Sequence, residues 1–74
     1  MIRKVSVIIE KDEMGFYAHV PELPGCQSQG DTYDQVIDHI REAIDLYLEA
    51  LTPEEKLRLT SREIESTFFE VEIG

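Results

Sequence analysis

Apolar residues recur at helical spacing along the middle of the chain: Val36, Ile37, Ile40, Ala43, Ile44, Tyr47, Leu48 and Leu51. They fall on one stripe of a 3.6-residue period, which predicts an amphipathic helix over 33–51. Thr32 and Gln35 fit a capping box at its start, and Asp31 and Asp34 sit near the positive end of its dipole. At 1.5 Å per residue such a helix is about 28 Å long. A stripe of that length has to be buried, and no other segment has a comparable helical period. The surface that covers it must therefore be a sheet.

The rest of the chain reads as that sheet. Val5, Val7 and Ile9 alternate with Ser6, Ile8 and Glu10, predicting a strand over 3–10. "KDEMG" (11–15) is a polar turn closed by glycine, so a hairpin follows. The return strand, 16–20, carries Phe16, Ala18 and Val20 on one face and Tyr17 and His19 on the other. Pro21 cannot donate to a ladder and ends the strand or marks an edge. "PELPG" (21–25) is a turn, since the residue before each proline is pushed to extended geometry and Gly25 can take positive φ. "CQSQG" (26–30) is a weak third strand, placed by its position between a turn and a helix start. Beyond the long helix, Thr52, Pro53 and Glu55 open a short second helical piece, with Leu57 and Leu59 as a narrow apolar contact. Residues 66–73 return to strand.

The order β-β-β-α-(short α)-β makes an α+β domain of two layers over residues 1–74, one long helix packed on a small, mostly antiparallel sheet. Val5, Val7, Ile9, Phe16, Ala18, Val20, Phe69, Val71 and Ile73 are expected to face the helix. The other face carries Ser6, Ile8, Tyr17, His19, Gln27, Gln29, Phe68, Glu70 and Glu72, and nothing in the chain covers it.

Composition narrows the function. At 74 residues, a domain buries only about 60% of its unfolded surface and gains from disulfides, metals or a partner subunit. One cysteine makes no internal disulfide and the metal ligands are too few for a structural zinc centre, so a homo-oligomer (dimer or tetramer) is expected. Sixteen acidic and seven basic residues give a net charge of −9. Nucleic-acid backbones select for Lys and Arg, so autonomous nucleic-acid binding is not expected. A negative field keeps a protein soluble or suits a basic partner. No apolar run approaches the ~20 residues of a membrane span. "MIRKVSVIIE" lacks the length and cleavage site of a signal peptide, so a cytoplasmic location is expected.

Catalytic arrangements fare poorly. Cys26 and His19 are the candidate nucleophile and base, but the face assignment points them to opposite sides, and Cys26 reads as a small buried hydrophobe. His19, Cys26 and His39 match no metal-ligand spacing. Asp34, Asp38, Glu42, Asp45 and Glu49 line one helical stripe with Arg41 among them. They form a solvated face or a docking surface for a basic partner. No phosphate-binding glycine loop is present. No enzyme, metal or cofactor is expected.

The stretch "GFYAHVPELPGCQSQGDTYDQVIDHIREAIDLYLEAL" resembles the N-terminal domain of the HicB-like antitoxin family. The similarity is carried by Gly15, Phe16, Pro21, Glu22, Leu23, Pro24, Gly25, Cys26, Gly30, Asp31 and Thr32, followed by Glu42-Ala43-Ile44 in the helix. The resemblance implies a partial ribonuclease-H-like β-β-β-α-β fold and a non-enzymatic, oligomeric antitoxin. Its partner would be a small, basic, HicA-like toxin that cleaves mRNA. Many members carry a C-terminal DNA-binding segment, and a sequence ending at Gly74 resembles a short form without it. Gln35-Val36-Ile37 replaces the family's more usual acidic-Ala-Leu run. On this reading Tyr17, His19 and Phe68 on the open sheet face, and Asp34, Asp38 and Asp45 on the helix, are candidate protein contacts. The residues also leave open a stand-alone oligomeric module without a toxin, and a ribonuclease-H-like nuclease.

Overall fold

In a computed structural model, described for residues 4–61, 64–65 and 67–74, the chain begins with a hairpin set by Asp12. Its Oδ1 accepts the backbone N–H of Met14 at 2.7 Å and of Gly15 at 3.2 Å, the local bonding that makes aspartate a turn residue. The hairpin joins β1 (Ile8–Asp12) to β2 (Gly15–His19), and β3 (Gln27–Gly30) pairs with β2's other edge. Both pairings are antiparallel, in the order β1-β2-β3. α1 (Tyr33–Glu49) crosses one face of the sheet, against β3 and β2, and α2 (Pro53–Ser61) follows. The expected α+β two-layer architecture is therefore present.

β1 is shorter than the period-2 pattern suggested, and the reason is β2. Pro21 stops β2 after His19, so residues 4–7 run past the end of their ladder partner. The Ser6 N–H turns instead to the Glu22 carboxylate, 2.7 Å to Oε2. Residue 3 of the expected strand lies outside the described residues.

"PELPG" folds as two consecutive turns. The Leu23 N–H donates to the Val20 carbonyl at 3.0 Å, the Cys26 N–H to the Leu23 carbonyl at 2.9 Å, and the Val20 N–H closes the unit on the Cys26 carbonyl at 3.0 Å. Pro21 and Pro24 each take the second position of a turn, where a fixed φ near −65° is favoured. Gly25 follows Pro24 with φ +84°, the left-handed geometry that a type II turn demands at that place. Cys26, expected at the start of β3, closes the turn instead.

This double turn is part of the core. Val20, Leu23 and Cys26 are buried together with Ala18 of β2 and Val36 and Ile40 of α1. Val5, Ile9, Phe16, Ala43, Ile44, Tyr47, Leu48 and Leu59 pack around them, so most of the helical stripe lands where its period placed it; Ile37 lines the groove at the sheet edge and Leu51 lies beyond α1. At the other end of the sheet the layers touch without side chains between them. A Cβ on Gly30 would lie 2.7 Å from the Val36 nitrogen. Only glycine permits that approach.

The helix starts are capped as their residues dictate. The Thr32 hydroxyl accepts the Gln35 N–H at 3.1 Å, and the Gln35 side chain returns to the Asp31 N–H at 2.9 Å. The Thr52 hydroxyl accepts the Glu55 N–H at 3.2 Å, and Glu55 Oε1 accepts the Thr52 N–H at 3.1 Å. α1 ends two residues earlier than expected, as Pro53 biases the chain before it away from helix. Leu59 meets the core, whereas Leu57 is 71% exposed.

The final strand of the expected order does not form in this sheet. The described residues 67–74 have no regular structure. Phe69, Val71 and Ile73, expected against the helix, are 85%, 76% and 94% exposed. A strand needs a neighbouring edge for its backbone groups, and period-2 patterning does not specify which edge. Ser66 lies outside the described residues.

Leu23→Ala is expected to cost about 2–5 kcal/mol, the range for a buried leucine, while Leu46→Ala, 65% exposed, stays within about 0.5 kcal/mol. Urea unfolding of the two variants checks the difference. Hydrogen bonds from the Thr52 backbone and then the Thr52 hydroxyl hold the Glu55 carboxyl below its ordinary pKa. A group whose pKa is lowered on folding stabilises above its unfolded value and loses that contribution as pH falls through the folded one. Helicity of α2 is thus expected to fall on acidification, and Glu55→Gln to remove that step, read by far-UV circular dichroism.

Candidate functional site

The face of the sheet opposite α1 follows directly from the register. Tyr17 lies between Glu10 and Gln29, and His19 between Ile8 and Gln27. Alternation along β2 sends both side chains to the same side, away from Ala18 and the core. Glu10, Tyr17, His19, Gln27 and Gln29 line a shallow hollow of about 450 Å³. It offers an aromatic ring, an imidazole, amides and one carboxylate, a mixture suited to contacts that combine stacking with hydrogen bonds. Phe68, expected on this face, is 94% exposed. It sits in the terminal segment and does not join Tyr17 and His19.

A second surface runs along α1. Asp34, Asp38, Glu42, Asp45 and Glu49 are all exposed, as is Arg41 among them. Spacings of three and four residues keep these carboxylates on one side of the helix, where their fields add. Asp45 and Arg41 also line a groove of about 160 Å³ whose other walls are Val7, Ile37, Ile40 and Ile44.

The remaining motif residues shape the fold around these surfaces. Phe16 packs edge-on against Tyr33, with ring centroids 6.2 Å apart, and Lys11 places its ammonium 5.4 Å from the Phe16 ring. Gly15 opens β2; Pro21, Leu23, Pro24, Gly25 and Cys26 form the double turn; Gly30, Asp31 and Thr32 make the junction into α1. His39, read as a solvated flank residue, has a structural partner. Its Nδ1 donates to the Gln29 carbonyl at 2.7 Å, since a carbonyl can only accept. This bond ties α1 to the edge strand β3.

Cys26 and His19 do not converge. Cys26 is buried on the helix side, and burial raises its thiol pKa. His19 is exposed on the open face. Such a thiol stays protonated at neutral pH, the opposite of an activated nucleophile. Among the described residues no three His, Cys, Asp or Glu side chains gather as metal ligands, and no helix is long and apolar enough to cross a membrane.

Glu22 belongs to the motif of the turn, but nothing in the pattern marks it as buried. It is 5% exposed, one carboxylate oxygen holds the Ser6 N–H, and the other makes no hydrogen bond among the described residues. Glu22 lines a cleft of about 340 Å³ between the double turn and α2, together with Leu23, Tyr47, Leu51 and Leu59. Its place between two prolines and in the family motif says turn and not burial.

A family model described as the HicB-like antitoxin of bacterial toxin–antitoxin systems matches residues 5–73. A UPF0150 protein of Helicobacter pylori is 45% identical over 58 residues, covering 78% of this chain and 81% of the relative. A UPF0150 protein of Archaeoglobus fulgidus is 49% identical over 47 residues, 62% of this chain and 68% of the relative. One from Thermoplasma acidophilum is 51% identical over 49 residues, 65% and 71% of the two chains. No solved structure gives a significant match.

The burial of Cys26 makes a direct expectation. Its reaction with an aromatic disulfide reagent at neutral pH should be slow in the folded protein and complete within the mixing time in denaturing urea. Equal rates in the two conditions would contradict the placement of the thiol in the core.

Proposed function

The chain belongs to the HicB-like antitoxin family of bacterial toxin–antitoxin systems, and from that membership we propose that it is a non-enzymatic antitoxin. On this proposal it binds and neutralises a small, basic, HicA-like toxin that cleaves mRNA. The family match over residues 5–73 is the observation that carries the reading. Charge supports it from an independent direction. A protein that engages RNA needs cationic surface for the phosphate backbone, and this chain carries a net charge of −9. Binding there would compete with RNA for the same cations.

In the proposed complex the two surfaces divide the work. Asp34, Asp38 and Asp45 supply the field that draws in a basic partner, which speeds encounter more than it deepens affinity. Tyr17 and His19 on the open sheet face supply a desolvated anchor, the kind of centre where binding energy concentrates. Phe68 adds a third contact if the terminal segment is carried onto that face. The protein would act in the cytoplasm, where mRNA is translated, and as a homo-oligomer. A stand-alone oligomeric module without a toxin is the second reading, favoured by the large apolar side chains exposed in the terminal segment.

A search for a neighbouring small basic reading frame, and co-expression with it, separate the two; its absence would count against the toxin reading. The neighbour alone should arrest growth, co-expression should restore it, and the two proteins should co-purify. A neighbour that is neither toxic nor bound would sink the toxin reading. Reversing Asp34, Asp38 and Asp45 to lysine should lower the association rate at least ~10-fold at low salt and flatten its salt dependence. Stopped-flow or surface-based kinetics read both effects.

A further inference from the structure

β1 is an edge strand. A two-residue turn between Asp12 and Gly15 makes them a hydrogen-bonded pair, so Ile8, Glu10 and Asp12 direct their backbone groups toward β2. Ser6 keeps the same alternation, with its N–H on Glu22. Within β1 the backbone groups of Ile9 and Lys11 therefore point outward, and among the described residues no strand lies on that side. Next to this edge, on the helix side, is the groove walled by Val7, Ile37, Ile40 and Ile44. An open edge beside an apolar groove is a template for one more strand.

The chain itself contains a segment of matching chemistry. In residues 67–73 Phe69, Val71 and Ile73 alternate with Phe68, Glu70 and Glu72. One side of such a strand would fill the groove, while the other would extend the open face beside Ile8 and Tyr17. The segment does not occupy its own groove, since Phe68, Phe69, Val71 and Ile73 are 76–94% exposed. The Cα radius of gyration is 14.4 Å, with a longest extent of 47 Å, against about 11 Å for a compact chain of this length.

We propose that residues 67–73 are a fourth strand supplied in exchange. The segment of one copy pairs along the β1 edge of a second copy, and the reciprocal contact closes a two-fold dimer. Charge does not oppose this occupant: the segment carries Glu70 and Glu72, and along the receiving edge and groove Lys4, Lys11 and Arg41 offset Glu10, Asp12 and Asp45. Area supports it. Aromatic side chains bury about 150–250 Å² each, so the two inward Phe69 rings of a reciprocal exchange bring about 300–500 Å². Val71, Ile73 and the covered grooves carry the total past the ~1,200 Å² typical of stable interfaces. The exchange concerns the antitoxin alone and stands or falls without the toxin.

Paired cysteines test it on the isolated protein. One copy carries Val7→Cys, and a separately tagged copy carries Val71→Cys or Ile73→Cys. After mixing, brief unfolding, refolding and mild oxidation, the expected product is a disulfide-linked heterodimer for at least one pair. Light scattering on the unmodified chain should give twice the monomer mass. A chain ending after Glu65 should be monomeric with α1's far-UV signal retained; if it fails to fold, the full-length Phe69→Asp/Val71→Asp variant serves the same purpose. A disulfide formed within a single chain carrying both cysteines, at monomer mass, would assign the strand to its own edge and overturn the exchange. So would a monomeric full-length protein, a dimer that survives removal of the segment, or failure of every mixed pair to cross-link.

Discussion

The fold depends on a turn that is also a core element. Residues 20–26 close on themselves through backbone bonds, with two prolines and a left-handed glycine setting the path. This leaves Leu23 at 1% exposure beneath α1 and brings the Glu22 carboxylate to the N–H of Ser6. A small domain has few apolar side chains to bury, and using a connection as well as the regular elements raises the buried share. The same unit stops β2, delays β3 and ties down the chain ahead of β1. Most of the departures from simple strand periodicity trace back to it.

Much of this arrangement was legible in the residues, for identifiable reasons. The stripe from Val36 to Leu51, both Thr-led helix caps, the Asp12 hairpin and the inward set of Phe16, Ala18 and Val20 are local patterns, and local patterns survive into the fold when tertiary packing agrees with them. What was not legible is non-local. The burial of Glu22 depends on a backbone amide 16 residues away. The His39 bond depends on the carbonyl of Gln29, which only the helix–sheet docking brings near. The strand pattern at 67–73 states which side chains share a face and is silent on whose edge receives them.

The candidate surfaces divide along the same line. Tyr17 and His19 share one exposed face because alternation in β2 leaves no other choice, and the acidic flank follows from helical spacing. Phe68 was grouped with them on the assumption of a fourth strand in the same sheet, and without that strand it lies apart. Open sheet face, acidic helix flank and apolar edge groove use different chemistry, although the flank and the groove meet at Asp45. Self-association at one need not exclude a partner at another.

The close approach at Gly30 gives the two layers unequal spacing. At that end the helix backbone rests on the sheet backbone, with the Val36 nitrogen 2.7 Å from where a Cβ of residue 30 would stand. At the other end Leu23 and Tyr47 pack in the core and, with Leu51, line the cleft beside α2. The domain is thus a wedge, pinched at its glycine tip and held open by side chains at its base. Volume can be traded among residues at the base, where neighbours can repack, and hardly at all at the tip. Sequence drift in such a wedge should therefore be lopsided: free exchange of aliphatic shapes around α2 and the double turn, and near-immobility at a single residue that contributes no side chain.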